Sequence, residues 1–193
     1  VALALVEDGE VKLGVLGCPA LSYRPDAEPG VLFVAQRGRP AERVPIRGGG
    51  RVTIQVAKER GGPSWRMLES VESSHGNREL HQQIAGAIGL QEPSLRMDSQ
   101  AKYGAVASGE AVLYLRMPSP KQPDYREKVW DHAAGSLVVE AAGGKVTDMF
   151  CRPLDFGSGV RMEGNRGVVV SNGHVHDAVI EALSKAVVAA EEG

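Results

Sequence analysis

Apolar and polar positions alternate with a period of two through the first part of the chain. Val1, Leu3 and Leu5 alternate with Ala2 and Ala4, and Val11–Leu16 forms a second run. Between them, Asp8-Gly9 supplies the positive-φ residues that a tight hairpin turn needs. After a Pro-containing loop, Val31–Ala35 reads as a third strand, Arg37-Gly38 as a turn and Glu42–Ile46 as a short edge strand. Residues 1–47 therefore predict antiparallel sheet. The glycines at 48–50 break the pattern and set an expected boundary, with the strands of one domain in 1–50 and an α/β domain in 51–193. A chain that opens inside a hairpin is expected to have lost what came before it.

From Arg51 the period changes, and short strands alternate with helices, the signature of an α/β layer. Strands are predicted at Arg66–Val71, Leu95–Met97, Ala111–Leu115, Lys145–Thr147 and Gly167–Ser171. A helix over Asn77–Leu90 carries Leu80, Ile84, Ala87 and Ile88 on one face. Ser99–Gly109 follows with Asp98 as N-cap, and Trp130–Ala142 ends at Gly143-Gly144. His174–Ala190 is amphipathic, with Val175, Ala178, Val179, Ala182, Leu183, Ala186 and Val187 on one side.

Composition narrows the class. With 193 residues, 42% hydrophobic and 24% charged, the chain is that of an ordinary globular protein. No apolar run reaches the roughly 18–20 residues that span a bilayer. A net charge of −2 supplies no basic field for coating nucleic acid. Cys18 and Cys151 are the only cysteines, too few for a disulfide scaffold or a Cys-based zinc module, and a reducing, cytoplasmic setting is expected.

Candidate chemistry sits where strands end or helices begin. His75 follows the first strand of the second half. Ser99 and Lys102, three apart at a helix start, share one face, where free N–H groups and a positive dipole end would seat a phosphate. Arg116 ends a strand and offers a bidentate partner for an oxyanion. Asp131 opens a helix and could hold a hard cation such as Mg2+. Each has a plain structural alternative: Asp131 as an N-cap, Lys102 as a solvated helix charge, Arg116 as a surface strand end, His75 as part of a turn.

Other patterns carry less. His174-Val-His176 has a metal-like spacing but begins an amphipathic helix without a nearby third ligand, and reads as a surface helix start. Gly157-Ser-Gly159 lacks a dinucleotide loop's third glycine, and Gly143-Gly144-Lys145 follows a helix instead of preceding one. Arg37, Arg39, Arg43, Arg47 and Arg51 are interleaved with Gly and Pro and read as a solvated edge.

Val129-Trp130-Asp131-His132-Ala133-Ala134-Gly135, with Glu140-Ala141-Ala142-Gly143-Gly144 and Thr147-Asp148 after it, resembles the C-terminal signature of the inositol monophosphatase superfamily. Glu72-Ser73-Ser74-His75, Asp98-Ser99-Gln100-Ala101-Lys102-Tyr103 and Pro153-Leu154-Asp155-Phe156-Gly157 narrow the match. They are similar to the 3'(2'),5'-bisphosphate nucleotidases of fungi and plants, which convert adenosine 3',5'-bisphosphate to AMP. The resemblance implies a five-layer α/β/α/β/α sandwich, Mg2+ dependence, inhibition by lithium or sodium, and metal-assisted attack of water on the 3'-phosphate. It implies that Asp131 is a metal ligand, and that His75, Ser99, Lys102 and Arg116 contact the nucleotide and its phosphates.

The resemblance also implies a Glu-Glu pair and an Asp-Pro-Ile-Asp-Gly-Thr segment upstream of the quoted motifs; this sequence has neither ahead of them, its one Glu-Glu pair being Glu191-Glu192. The chain is expected to correspond to the downstream part of such an enzyme, to have no catalytic residue of its own, and to be inactive alone. An inositol polyphosphate 1-phosphatase and a non-catalytic nucleotide-binding module are the competing functional expectations. A third is a fragment that folds poorly, with an exposed strand edge at Val1–Leu5.

Overall fold

The computed structural model describes residues 1–22, 28–58, 61–71 and 77–191. Five strands form an antiparallel sheet in sequence order: β1 (Ala2–Glu7), β2 (Glu10–Cys18), β3 (Val31–Gln36), β4 (Glu42–Pro45) and β5 (Val52–Thr53). The β1–β2 turn places Asp8 at φ 52° and Gly9 at φ 77°, the paired left-handed conformation that a two-residue hairpin requires. The sheet runs further than expected. β5 lies beyond the glycines at 48–50, and its residues Val52 and Thr53 pair with Arg43 and Glu42.

The second sheet has the order β7-β6-β8-β10-β9. Its strands are β6 (Met67–Glu69), β7 (Leu95–Arg96), β8 (Leu113–Arg116), β9 (Lys145–Thr147) and β10 (Val168–Ser171). β7, β6 and β8 run parallel, while β10 is antiparallel to both β8 and β9. Among the described residues three helices connect these strands, α1 (Arg78–Ala87), α2 (Ala101–Ala107) and α3 (Ala133–Ala141), and α4 (His176–Glu191) follows β10. A 3-10 turn, Val129–Asp131, precedes α3.

Burial sorts these elements into layers. Leu16, Phe33 and Ala35 of the first sheet pack on Ala105 and Val106 of α2 and on Leu137 and Val138 of α3. Those helices meet Leu68, Tyr114 and Val170 on the near face of the second sheet. The far face, with Met67, Leu113, Leu115 and Val169, packs on Ile84 of α1 and on Val179 and Leu183 of α4. The described residues thus build β/α/β/α, four layers of the expected five. The other face of the first sheet carries Leu3, Leu5, Leu13, Val15, Leu32 and Val34, all exposed or half-buried. No helix among the described residues is long and apolar enough to cross a membrane.

Two helix faces differ from the sequence pattern. His81 of α1 is buried, whereas Ala87 is exposed, because the helix rolls to bring the imidazole under Met117, whose N–H lies 3.4 Å from His81 Nε2. On α4, Ala178 faces solvent. The end of α3 is as expected. Gly143 adopts φ 90°, the Gly144 N–H reaches Val139 O at 2.9 Å, and the Gly143 N–H reaches Glu140 O at 3.0 Å, closing a Schellman cap.

Candidate anion-binding site

The parallel strands β6 and β8 end side by side, and Ser70 just beyond β6 and residues 98–100 of the loop after β7 border the same space. The resulting cavity of about 450 Å³ is lined by Ser99, Lys102, Arg116 and Asp131, with Tyr103, Tyr114 and His132 on its inner wall. Four of the five candidate residues therefore share one cleft. The fifth, His75, lies outside the described residues.

Ser99 comes before the helix, not inside it, because its backbone is left-handed at φ 63°. α2 starts at Ala101, and its cap position, Gln100, makes no side-chain cap bond. Asp98 is not the cap: its Oδ1 accepts the Val71 N–H at 3.0 Å, tying the β7–α2 loop to the end of the β6 strand. The free amides expected at this helix start are partly consumed, since Ser99 Oγ accepts the Ala101 N–H at 3.2 Å. What Ser99 can still offer the cavity is its own hydroxyl proton.

Lys102 is 3% exposed, so it is not a solvated helix charge. Its Nζ donates to Met97 O at 3.1 Å and lies 5.1 Å from the centre of the Tyr114 ring. Burial, with help from the positive charge of Arg116, brings its pKa down to about 8, against the opposing pull of Asp98. An anion entering the cavity would therefore meet a partly desolvated ammonium, where electrostatic attraction is stronger than at the surface.

Arg116, the last residue of β8, donates from Nε to Glu127 Oε1 at 3.0 Å. The other carboxylate oxygen of Glu127 lies 3.0 Å from His132 Nε2, and His132 Nδ1 lies 2.6 Å from the hydroxyl of Tyr103. Glu127, His132 and Tyr103 are all buried. Burial pushes the Glu127 carboxyl up, but His132 and Arg116 outweigh it and hold the group below its ordinary value. Burial also pushes the Tyr103 phenol well up.

Asp131 closes the 3-10 turn and is exposed. It does not cap α3, whose cap position is His132, without a side-chain bond. The turn is fastened to the other wall by Gln100, whose amide donates to Trp130 O at 2.8 Å. Asp131 is thus a carboxylate at the cavity wall without a capping task. Among the described residues no three His, Cys, Asp or Glu side chains gather as a metal site. The cavity lining carries two carboxylates, Asp131 and Asp98, and Asp98 Oδ1 is engaged by the Val71 N–H.

The profile of the inositol monophosphatase family matches residues 1–188. The chain belongs to the inositol monophosphatase family. Among named relatives of this family member is a 3'(2'),5'-bisphosphate nucleotidase of Emericella nidulans, 39% identical over 202 residues, with 96% of this chain and 57% of that protein covered. A 3'(2'),5'-bisphosphate nucleotidase of Schizosaccharomyces pombe is 36% identical over 190 residues, with 95% and 53% covered. The chain spans about half the length of the curated relatives it matches. In structure it is similar to an inositol monophosphatase from Zymomonas mobilis, with TM-score 0.65, 20% identity, and 95% of this chain and 61% of that one covered. It is also similar to CysQ from Bacteroides thetaiotaomicron, with TM-score 0.61, 21% identity, and 90% and 62% covered. At these identities the structural likeness is one of fold.

Within this family member, other residues of the quoted motifs have structural tasks. Asp148 is fully buried; its Oδ1 accepts the N–H groups of Phe150 and Arg152, each at 2.9 Å, and organises the following loop. His176 is fully buried between Ser171 Oγ and Thr147 Oγ1, each at 2.9 Å, whereas His174 is exposed, so the two do not form a metal pair. Glu127 carries no sequence signal of its own: it stands in the charged run Arg126-Glu127-Lys128, and only the fold places it between Arg116 and His132. Tyr103 and His132 lie inside the quoted motifs, but nothing in their spacing shows that they join.

Proposed function

We propose that this chain forms the anion-binding wall of a Mg2+-dependent phosphatase that removes the 3'-phosphate of adenosine 3',5'-bisphosphate. On this reading Lys102 and Arg116 grip phosphate oxygens, Ser99 donates its hydroxyl, and His75 bonds the nucleotide. Asp131 gives one ligand to a metal whose other ligands lie outside the described residues. The observation that carries the reading is that a desolvated ammonium, an arginine and an uncommitted carboxylate line one cavity in a chain related to bisphosphate nucleotidases.

The protein residues would bind and orient the substrate. Lys102 and the Nη groups of Arg116 would meet the phosphate oxygens, with Glu127 already sharing the arginine's charge and Asp98 acting on the lysine, and the cavity size suits a small ligand of nucleotide dimensions. With one carboxylate of the metal site, the 193-residue chain is expected to release no measurable phosphate. A second reading, nucleotide binding without catalysis, is favoured by the same incomplete ligand set.

Titration calorimetry of the chain with adenosine 3',5'-bisphosphate, and with an inositol bisphosphate as competitor, tests the proposal. Binding that favours the nucleotide and falls at least tenfold in Lys102→Ala and Arg116→Ala supports it. Binding unchanged in both variants removes the phosphate site. Robust Mg2+-dependent phosphate release by the chain alone would overturn the expectation of inactivity.

A further inference from the structure

We infer that Glu127 is a positioning residue for the anion site: it fixes the Arg116 guanidinium and, through His132, ties it to the turn that carries Asp131. The inference rests on the anion-binding reading of the cavity given above.

Both oxygens of Glu127 are committed, Oε1 to Arg116 Nε and Oε2 to His132 Nε2, each at 3.0 Å. A guanidinium is planar, so a fixed Nε–H fixes the plane. With that edge taken, an oxyanion can meet Arg116 only through the Nη groups. The side chain of Arg116 is 24% exposed and that of Glu127 is 7% exposed, so the pair is held mostly out of water, where a charged hydrogen bond is strong.

The other half of the link runs to the opposite wall. His132 follows Asp131 directly, and its ring is held at both nitrogens, by Glu127 at Nε2 and by the Tyr103 hydroxyl at Nδ1. Tyr103 is fixed in turn by the Tyr114 ring, edge-on at 5.6 Å between centres. The backbone of the Glu127 segment is pinned as well, for Met162 donates to Glu127 O at 3.0 Å and Val129 donates to Val160 O at 3.1 Å. One carboxylate therefore sets the spacing between the cationic arm and the Asp131 turn. Its value is preorganisation: the arginine does not have to be ordered when the ligand arrives.

A Gln at position 127 can hold Arg116 only through a neutral hydrogen bond to its Oε1, without the carboxylate's charge, and its amide can meet His132 Nε2 only if the ring changes tautomer and Nδ1 donates to the Tyr103 hydroxyl. The test is a double-mutant cycle of adenosine 3',5'-bisphosphate binding on the whole chain, with Glu127→Gln, Arg116→Ala and their combination. Urea unfolding of each variant, and NMR detection of the Arg116 Nε–H, complete it. We expect Glu127→Gln to weaken binding about tenfold, to expose the Arg116 Nε–H to solvent exchange, and to add nothing once Arg116 is Ala, because its effect passes through that side chain. A general structural role would instead give additive losses.

If Arg116→Ala weakens binding tenfold while Glu127→Gln stays within twofold of the wild type, the positioning role is wrong and the anion site stands. If Arg116→Ala binds as the wild type does, the anion site falls and takes this inference with it. Should Glu127→Gln fail to fold, Arg116→Lys reads the same point. A lysine keeps the charge without the fixed plane and should bind as poorly as Arg116→Ala, whereas wild-type affinity in Arg116→Lys overturns the inference.

Discussion

Gly135 lies directly against the ring of Tyr103: a methyl group at Gly135 would stand 2.3 Å from Tyr103 Cγ. The first turn of α3 can approach α2 only because position 135 has no side chain, and that approach brings His132 Nδ1 within 2.6 Å of the Tyr103 hydroxyl. Gly135→Ala should force the two helices apart, at a cost of about 1–3 kcal/mol or more. Thermal unfolding should show a midpoint several degrees lower, and ligand binding should weaken because the inner wall of the cavity moves.

Asp131→Asn should leave stability within about 0.5 kcal/mol of the wild type, because the side chain is exposed and caps nothing. A capping aspartate replaced in this way would sit on the same scale as other cap losses, about 1 kcal/mol. Urea unfolding distinguishes the two cases. Any enhancement of nucleotide binding by Mg2+ should disappear in the variant, as read by calorimetry with and without the metal.

Lys102 gives anion binding a pH dependence. Its pKa in the free protein is about 8, so its charge is lost as pH rises through that value. A phosphate monoester, with a second pKa of about 6, is already a dianion there. Affinity for adenosine 3',5'-bisphosphate should therefore fall above pH 8. A bound dianion favours the ammonium, so binding near pH 8 should take up protons, visible as heats that differ between buffers of unlike ionisation enthalpy. Lys102→Met should remove both effects.

His176 and His81 make the fold sensitive to acid. Burial, then the charge of Lys145, brings His176 to about 4, against the pull of Asp177. Burial, then Arg116, brings His81 to about 4. The unfolded chain titrates such groups near 6.5, so it binds more protons between pH 6.5 and 4. The stability these neutral imidazoles contribute is complete above pH 6.5 and is lost as pH falls through that window, on the order of 3 kcal/mol for a fully shifted group. Urea unfolding at stepped pH should show the slope. His176→Gln should be less stable at pH 7 and should flatten it.

Much of the architecture was legible because it is written in local chemistry. The Asp8-Gly9 hairpin and the Gly143-Gly144 cap follow from φ angles that few residues adopt, and both are found. Helix starts were less legible, because competition for hydrogen bonds decides them. Asp98 spends its carboxylate on Val71, and Ser99 turns left-handed, so α2 begins later than its pattern implies. β5 is not legible in the sequence, because two residues carry no period and only pairing with β4 makes them a strand.

Taken by itself, the sequence determined which residue types stand at the ends of strands and helices, since backbone propensity and periodicity act over a few neighbours. It thereby nominated Ser99, Lys102, Arg116 and Asp131. Only the tertiary structure decided that these four line one cavity, that Lys102 is desolvated, and that Glu127 leaves a charged run to sit between Arg116 and His132. Burial and charge pairing are set by residues far apart in the chain, and no local pattern encodes the distance between them.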